Sequence, residues 1–331
     1  MLRKNLEQKI ISLWRNRPPL NRGKTDKILQ RCVFPSGRQA LTYALRAEGL
    51  TRENRVALPE WSSACLISAV GKVATPIPLK EVLKNNIKVE AVLIYEQWGW
   101  PLLLEFKEDL QKKFKKNLLI VDRVNSADLD DKKRPILYPA RRQLEIFSLS
   151  KILGLLGGGL LKADGQYVRF IENKNHKILS EKIGKFKRNN GFGEAAVILK
   201  NDIESLAPDL IRWLKNNNLL AAIENEAEQR RENLHKISES SLVTDWPHWM
   251  RQAIAKGAAP SIAPIFKAKS EYKLKQLKEI IRDRLHLETE VYHFNWAGNP
   301  LVPNYQRCLA LPIHGLIKNM HFILNNIEQL L

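Results

Sequence analysis

From about residue 31 to 165, short apolar runs alternate with stretches whose apolar residues recur every three to four positions. Strand candidates are Arg55–Leu58, Val89–Tyr95, Leu118–Val121 and Leu144–Leu149, with another near Gly159–Lys162. Helical spacing fits Arg38–Gly49, Ser62–Val70 and Glu105–Lys115. Such alternation predicts a mostly parallel sheet covered by helices on both faces, a three-layer α/β architecture.

Beyond residue 200 the pattern changes. Residues 201–237 read as largely helical, with Ile211, Leu214, Leu219, Ile223 and Ala227 available to face inward. Pro208 belongs at the start of this region or at a break in it. The remainder predicts helix, strand, loop, strand, helix: an amphipathic helix over Tyr272–Leu285, a strand over Glu288–Asn295 and a closing helix over Leu316–Leu331. Residues 1–16 fit an amphipathic arm helix with Leu6, Ile10, Leu13 and Trp14 on one face, ended by Pro18 and Pro19. The expected organisation is an arm (1–30), a large α/β domain (31–230) and a smaller C-terminal α+β domain (231–331).

Composition adds one unusual feature. With 54 Lys and Arg against 35 Asp and Glu, the formal net charge is +19, a field that attracts polyanions. The excess is spread over lysine-rich pieces (107–116, 132–142, 174–188) that also carry acidic or apolar residues, so a solvated surface is favoured over a functional polyanion surface. Cys32, Cys65 and Cys308 are odd in number and widely spaced, which argues against a disulfide framework or a zinc site. No metal site is expected. The longest apolar run, Ile152–Leu161, is broken by four glycines, and the N-terminal segment mixes charges into its apolar residues. Neither a membrane span nor a secretory signal is expected, and a cytoplasmic address follows.

Candidate chemistry begins with absences. The chain has no GxxxxGK[ST] loop, no GxGxxG after the first strand, no GxSxG and no HExxH. Three segments remain. In Phe34–Leu41, Ser36 followed three residues later by Gln39 fits a capping box, and the N–H groups of Gly37, Arg38 and Gln39 at a helix start suit a phosphate. Next, Asp122 ends an apolar strand, where open α/β sheets place ligands. Its burial calls for a cationic partner, either a protonated ring nitrogen or the neighbouring Arg123. Finally, Lys151 follows an apolar strand carrying Ser148 and precedes the run Gly157-Gly158-Gly159. Glycines there bring backbone close to a ligand, and a lysine so placed can form a Schiff base. Taken singly, each segment also fits an ordinary structural role.

In combination and order, the SGRxAL start (Ser36–Leu41), the strand-end Asp122-x-x-Asn125, Ser148-x-Ser150-Lys151 and the three glycines resemble fold-type-I pyridoxal-phosphate (PLP) enzymes. Within these they are most similar to the DegT/DnrJ/StrS-type sugar aminotransferases. Val56-Ala57-Leu58-Pro59, Arg188-Asn189-Asn190-Gly191 and Leu309–His314 resemble further family motifs, so the likeness spans residues 30–331.

The resemblance implies PLP as cofactor, with Lys151 forming the Schiff base and moving the proton. Asp122 would keep the ring nitrogen protonated, and Asn125 would contact the ring hydroxyl. Gly37, Arg38 and Ser148 would seat the phosphate, and Asn189 or Asn190 would reach the phosphate of a partner subunit, since the family builds shared sites across a homodimer. Three departures stand out. Arg38 replaces the usual Thr. Glu60-Trp61-Ser62-Ser63 replaces the family's aromatic run, leaving Ser63 or Trp61 to stack on the ring. The Ser-x-Ser-Lys spacing is also unlike the usual DegT form. The implied activity is transfer of an amino group from an amino acid such as glutamate to a nucleotide-linked keto sugar. A PLP-dependent dehydratase, lyase or aldolase, and a non-catalytic polyanion-binding descendant, are the rival expectations. Trp98, Trp100, His293 and His314 read as packing residues rather than chemistry.

Overall fold

The computed structural model describes residues 32–102, 104–129, 143–163, 166–168, 206–267 and 270–330. The segment expected to form the arm helix, the segment holding Asn189 and Asn190, residues 201–205 and the whole of the 132–142 and 174–188 pieces lie outside the described residues. The described residues form two compact units. The first takes those within Met1–Tyr95, Phe114–Val124 and Tyr138–Ile223; the second takes those within Glu96–Lys113, Asn125–Leu137 and Glu224–Leu331.

The first unit is built on one sheet. In chain order its elements are β1 (Val33–Phe34), α1 (Gly37–Ala47), β2 (Arg55–Leu58), α2 (Ala64–Gly71), β3 (Thr75–Pro78), α3 (Leu79–Asn85) and β4 (Ala91–Tyr95). After helix α4 (Leu104–Phe114) come β5 (Leu118–Asp122), β6 (Gln143–Ser148), the short α5 (Leu149–Ile152), β7 (Gly159–Ala163) and β8 (Gln166–Tyr167). Strand order is β1-β7-β6-β5-β4-β2-β3, with β8 also paired to β7. Pairs β2–β3, β2–β4, β4–β5 and β5–β6 are parallel, while β7 runs antiparallel to its neighbours β6 and β1. The expected mostly parallel sheet is therefore present, and the carboxyl ends of β1, β2, β4, β5 and β6 share one edge.

One face of this sheet is closed by α1 and α2. Ala40, Leu41, Ala44 and Leu45 of α1, with Leu66, Ala69 and Val70 of α2, pack on Val56, Leu58, Leu93, Ile120, Ile146 and Leu161. The residues between those, including Ala57, Val92, Ile94, Leu119 and Val121, are buried as well. Burial on both faces explains why these strands read as apolar runs rather than alternating ones.

The second unit contains α7 (Leu219–Ser238, following α6, Pro208–Asn216), α8 (His248–Ala255), β9 (Ile262–Ile265) and α9 (Glu271–Leu285). It is completed by β10 (Glu290–Asn295), β11 (Tyr305–Pro312) and α10 (Met320–Leu330). The first five residues of α7 belong to the first unit. An antiparallel sheet of order β10-β11-β9 carries a core of Trp100, Trp246, Met250, Phe266 and Phe294, backed by Leu274, Ile281, Met320 and Leu324. Trp100 and Trp246 meet edge to face at 5.5 Å, and their indole N–H groups donate to the carbonyls of Ile262 (2.9 Å) and Pro264 (2.7 Å). Trp100 is thus a core residue. Trp98 packs against the same cluster, with its ring 5.3 Å from that of Phe294.

The closing helix starts at Met320 rather than Leu316. Asn233 of α7 donates its side-chain amide to the carbonyls of Ile313 (3.4 Å), His314 (3.4 Å) and Ile317 (3.0 Å), which holds 313–317 as a turn. None of the described helices is long and apolar enough to cross a membrane.

Candidate active site

Gly37, Asp122 and Ser148 lie at the carboxyl edge of the first unit's sheet, with Lys151 shortly after β6. α1 begins where β1 ends, and Ser36 caps it by accepting from the Gln39 N–H at 3.2 Å. The first turn of such a helix has N–H groups without intrahelical partners and the positive end of the helix dipole. Gly37 opens this turn against the end of β6. A Cβ there would lie 3.3 Å from the Phe147 carbonyl oxygen and 3.5 Å from both Ser148 Cβ and Val124 Cγ1.

The glycine run makes that approach possible. Gly158 donates its N–H to the Pro35 carbonyl at 2.7 Å, and Gly158 in turn accepts from the Leu149 N–H at 3.0 Å. At Gly159 a Cβ would sit 2.5 Å from both the Gly37 nitrogen and the Ser36 carbonyl carbon, a distance no side chain can occupy. Backbone therefore packs on backbone around the helix start.

Asp122 is the last residue of β5, paired in register with Tyr95 and Ile146, and is buried. Its Oδ1 accepts from the Val124 N–H at 3.0 Å, which turns the chain away from the strand. Arg123, the partner considered from sequence, sends its guanidinium to Glu145 at 2.7 Å. Ser148 ends β6, and its hydroxyl lies 2.9 Å from that of Ser150. Lys151 follows one residue later, on the exposed side of α5. Contacts thus run from Asp122 through Val124 and Gly37 to Ser148 and Ser150, next to Lys151.

Trp61 and Ser63 follow β2 at the same edge. Trp61 has a left-handed backbone (φ 61°) and is 55% exposed, and Ser63 is the N-terminal cap residue of α2, its hydroxyl 3.1 Å from Cys65 Sγ. Tyr95, at the end of β4, donates its hydroxyl to the Glu60 carbonyl at 2.9 Å and fixes the start of this loop. Arg38 is half-buried in the first turn of α1. Asn125 belongs to the second unit, where its carbonyl accepts from Arg230 at 2.8 Å.

Among the described residues, no group of three or more His, Cys, Asp or Glu could hold a metal. The donor set suits PLP instead. A buried carboxylate can face a protonated ring nitrogen, a helix start with adjacent hydroxyls can face a phosphate, and an exposed lysine amine beside them can reach a carbonyl carbon. Gly37 lets the helix start pack closely against the end of β6, beside Ser148.

Residues 22–329 match the model of the family described as "Putative PLP-dependent aminotransferase". The chain belongs to this family of PLP-dependent aminotransferases. No curated protein matches the sequence. Solved structures share its fold at low identity. A DegT DnrJ EryC1 StrS aminotransferase from Brucella abortus superposes with TM-score 0.56 at 14% identity, covering 98% of this chain and 95% of that one. DesV of S. venezuelae gives TM-score 0.52 at 18% identity, with 99% and 93% covered. A protein described as "Putative sugar aminotransferase", Spr1654 of Streptococcus pneumoniae in its PLP form, gives TM-score 0.52 at 14% identity, with 99% and 97% covered.

Proposed function

We propose that this aminotransferase moves an amino group from an amino acid, with glutamate as donor, to a nucleotide-linked keto sugar used in polysaccharide or glycoconjugate assembly. It works in the cytoplasm as a homodimer. The observation that carries the reading is the placement of Lys151, Asp122, Ser148 and Gly37 around adjoining strand ends, in the order that the sugar-aminotransferase resemblance requires. The sugar aminotransferase and DegT-type names among the structural neighbours, together with a net charge of +19 that attracts a diphosphate-bearing acceptor, support the substrate class.

PLP, when bound, supplies the electron sink that lets a carbon next to nitrogen lose its proton. Every other task falls to the chain. Lys151 Nζ would hold the cofactor and, once freed by the donor's amine, would carry the proton between the donor's α-carbon and the product. The Asp122 carboxylate would keep the ring nitrogen protonated. The first turn of α1, with Arg38 and the hydroxyls of Ser148 and Ser150, would hold the phosphate. Trp61 or Ser63 would be the residue to stack on the ring.

Purified protein given PLP is expected to gain an absorbance band near the visible edge, and Lys151→Ala to lack it completely. Nitrogen from labelled glutamate is then expected in the amino group of a nucleotide-linked sugar. A colourless wild type would sink the cofactor assignment. A coloured protein that passes no nitrogen to any nucleotide-linked ketone would remove the substrate assignment alone.

A further inference from the structure

A buried charge cluster adjoins Asp122 and has no part in the chemistry above. Arg123 follows Asp122 directly, and its side chain goes to the other face of the sheet, the face of Val121 and Glu145. Its guanidinium donates to Glu145 Oε2 at 2.7 Å, with only 4% and 7% of the two side chains exposed. The other carboxylate oxygen, Glu145 Oε1, accepts from the Gln143 amide at 2.7 Å. Lys162 stands opposite Glu145 in the β6–β7 register and is itself buried, with its ammonium 4.8 Å from the centre of the Tyr167 ring.

The backbone shows what this cluster holds. The Arg123 N–H donates to the Ile146 carbonyl at 2.8 Å, which carries the β5–β6 ladder one residue past Asp122. On its β4 side Asp122 pairs with Tyr95, and its Oδ1 accepts from the N–H of Val124, two residues on. The peptide after Asp122 is therefore pinned twice by β6, once through backbone and once through the ion pair. A buried ion pair adds little stability over apolar side chains of the same size, whereas it fixes geometry closely.

We infer that the Arg123–Glu145 ion pair is a positioning clasp that locks the end of β5 onto β6, so that the Asp122 carboxylate keeps one direction toward the cofactor's ring nitrogen. The inference rests on the assignment of Asp122 to that nitrogen. Arg123 acts through Asp122 and touches neither cofactor nor substrate.

The test compares the full chain with Arg123→Met, Glu145→Asp and a matched core variant, Leu45→Ala, whose side chain is fully buried in α1. Each is titrated with PLP, melted thermally, and followed by the pH midpoint of the visible band. Arg123→Met is expected to weaken PLP binding about tenfold or more, as loss of an outer partner of a bound group does elsewhere. The midpoint is expected to rise, because a ring nitrogen that loses its proton no longer repels the proton on the Lys151 nitrogen. Glu145→Asp, which keeps the charge but shortens the reach, should fall between Arg123→Met and wild type. Leu45→Ala should lower the melting temperature while leaving the midpoint in place. If Arg123→Met does not fold, the double variant Arg123→Met/Glu145→Met, which leaves no buried charge unpaired, takes its place with the same expectation. Wild-type affinity and midpoint in the clasp variants, or an equal midpoint shift in Leu45→Ala, overturns the inference. Failure of the Asp122 assignment itself would look different: Asp122→Asn would then leave the wild-type midpoint unchanged.

Discussion

The carboxyl edge of the large sheet and the core of the second unit are packed by opposite means. At the sheet edge, backbone meets backbone: Gly159 lies against Ser36 and Gly37, and Gly158 hydrogen-bonds Pro35, so little side-chain volume fills the junction. In the second unit, rings meet rings. The Trp100 ring lies 5.5 Å from that of Trp246, 5.9 Å from Trp249 and 6.4 Å from Phe294, Trp249 and Phe294 stack at 6.3 Å, and the three indole N–H groups are satisfied by backbone carbonyls. The first arrangement brings hydroxyls, a carboxylate and an amine to neighbouring strand ends. The second fills its space with carbon. The proposed site falls in the first region, where glycines and serines flank the polar groups.

That contrast can be broken by substitution. The largest effect is expected from Gly159→Ala, since its methyl would meet main-chain atoms at 2.5 Å that cannot rotate away. A loss above roughly 4 kcal/mol, or failure to fold, is expected in denaturant titration, along with loss of PLP binding. An ordinary stability for this variant would mean that the backbone seam is not tight. Next comes Phe294→Ala in the aromatic core, which should cost about 3–5 kcal/mol through the cavity it leaves. Below its melting temperature this protein should still bind PLP and show the visible band. Its disappearance at full folding would erase the distinction between the two regions.

The smallest effect concerns pH and lies on the surface of the second unit. The hydroxyls of Ser240 and Ser241 hold the Glu328 carboxyl below the usual carboxylate range. A carboxyl lowered on folding stabilises the protein above its unfolded pKa, and that contribution fades as pH falls through the folded value. Glu328→Gln should therefore melt slightly lower at neutral pH and lose part of its dependence on acid. Thermal melts across the acid range that superimpose on the wild type would remove this contribution.

Much of the first unit was legible in the sequence because buried parallel strands announce themselves as Val, Ile and Leu runs. β2 was placed residue for residue, and β4, β5, β6 and β7 within two residues at either end. β3 was not, because Thr75-Pro76-Ile77-Pro78 carries two prolines, which only an edge strand tolerates. β9 escaped for a similar reason: it is four residues long, contains Pro264 and pairs only with β11. The short α8, placed between it and α7, also lacks a long periodic stretch.

Of the proposed site, Ser36, Gly37, Asp122, Ser148 and Lys151 carry local sequence signals: strand ends, a capping box and a glycine run. The ion pair of Arg123 with Glu145 carries none. Whether a charged residue beside a strand end turns to a ligand, to its neighbour or to the next strand depends on register, and register is a property of two segments together. Nor does the sequence show that Trp61 takes a left-handed backbone and stands exposed at the edge of the site.

The seam between Ser36 and Gly159 joins residues far apart along the chain, across every strand from β2 to β6. The helix start faces its final neighbours only after the last long strand of the large sheet has been inserted. Contacts between such distant segments close late during folding because the intervening loop must first be ordered. A growing or half-assembled chain thus lacks this seam, and, if the proposed site is right, the colour of the bound cofactor would report that the large sheet is complete.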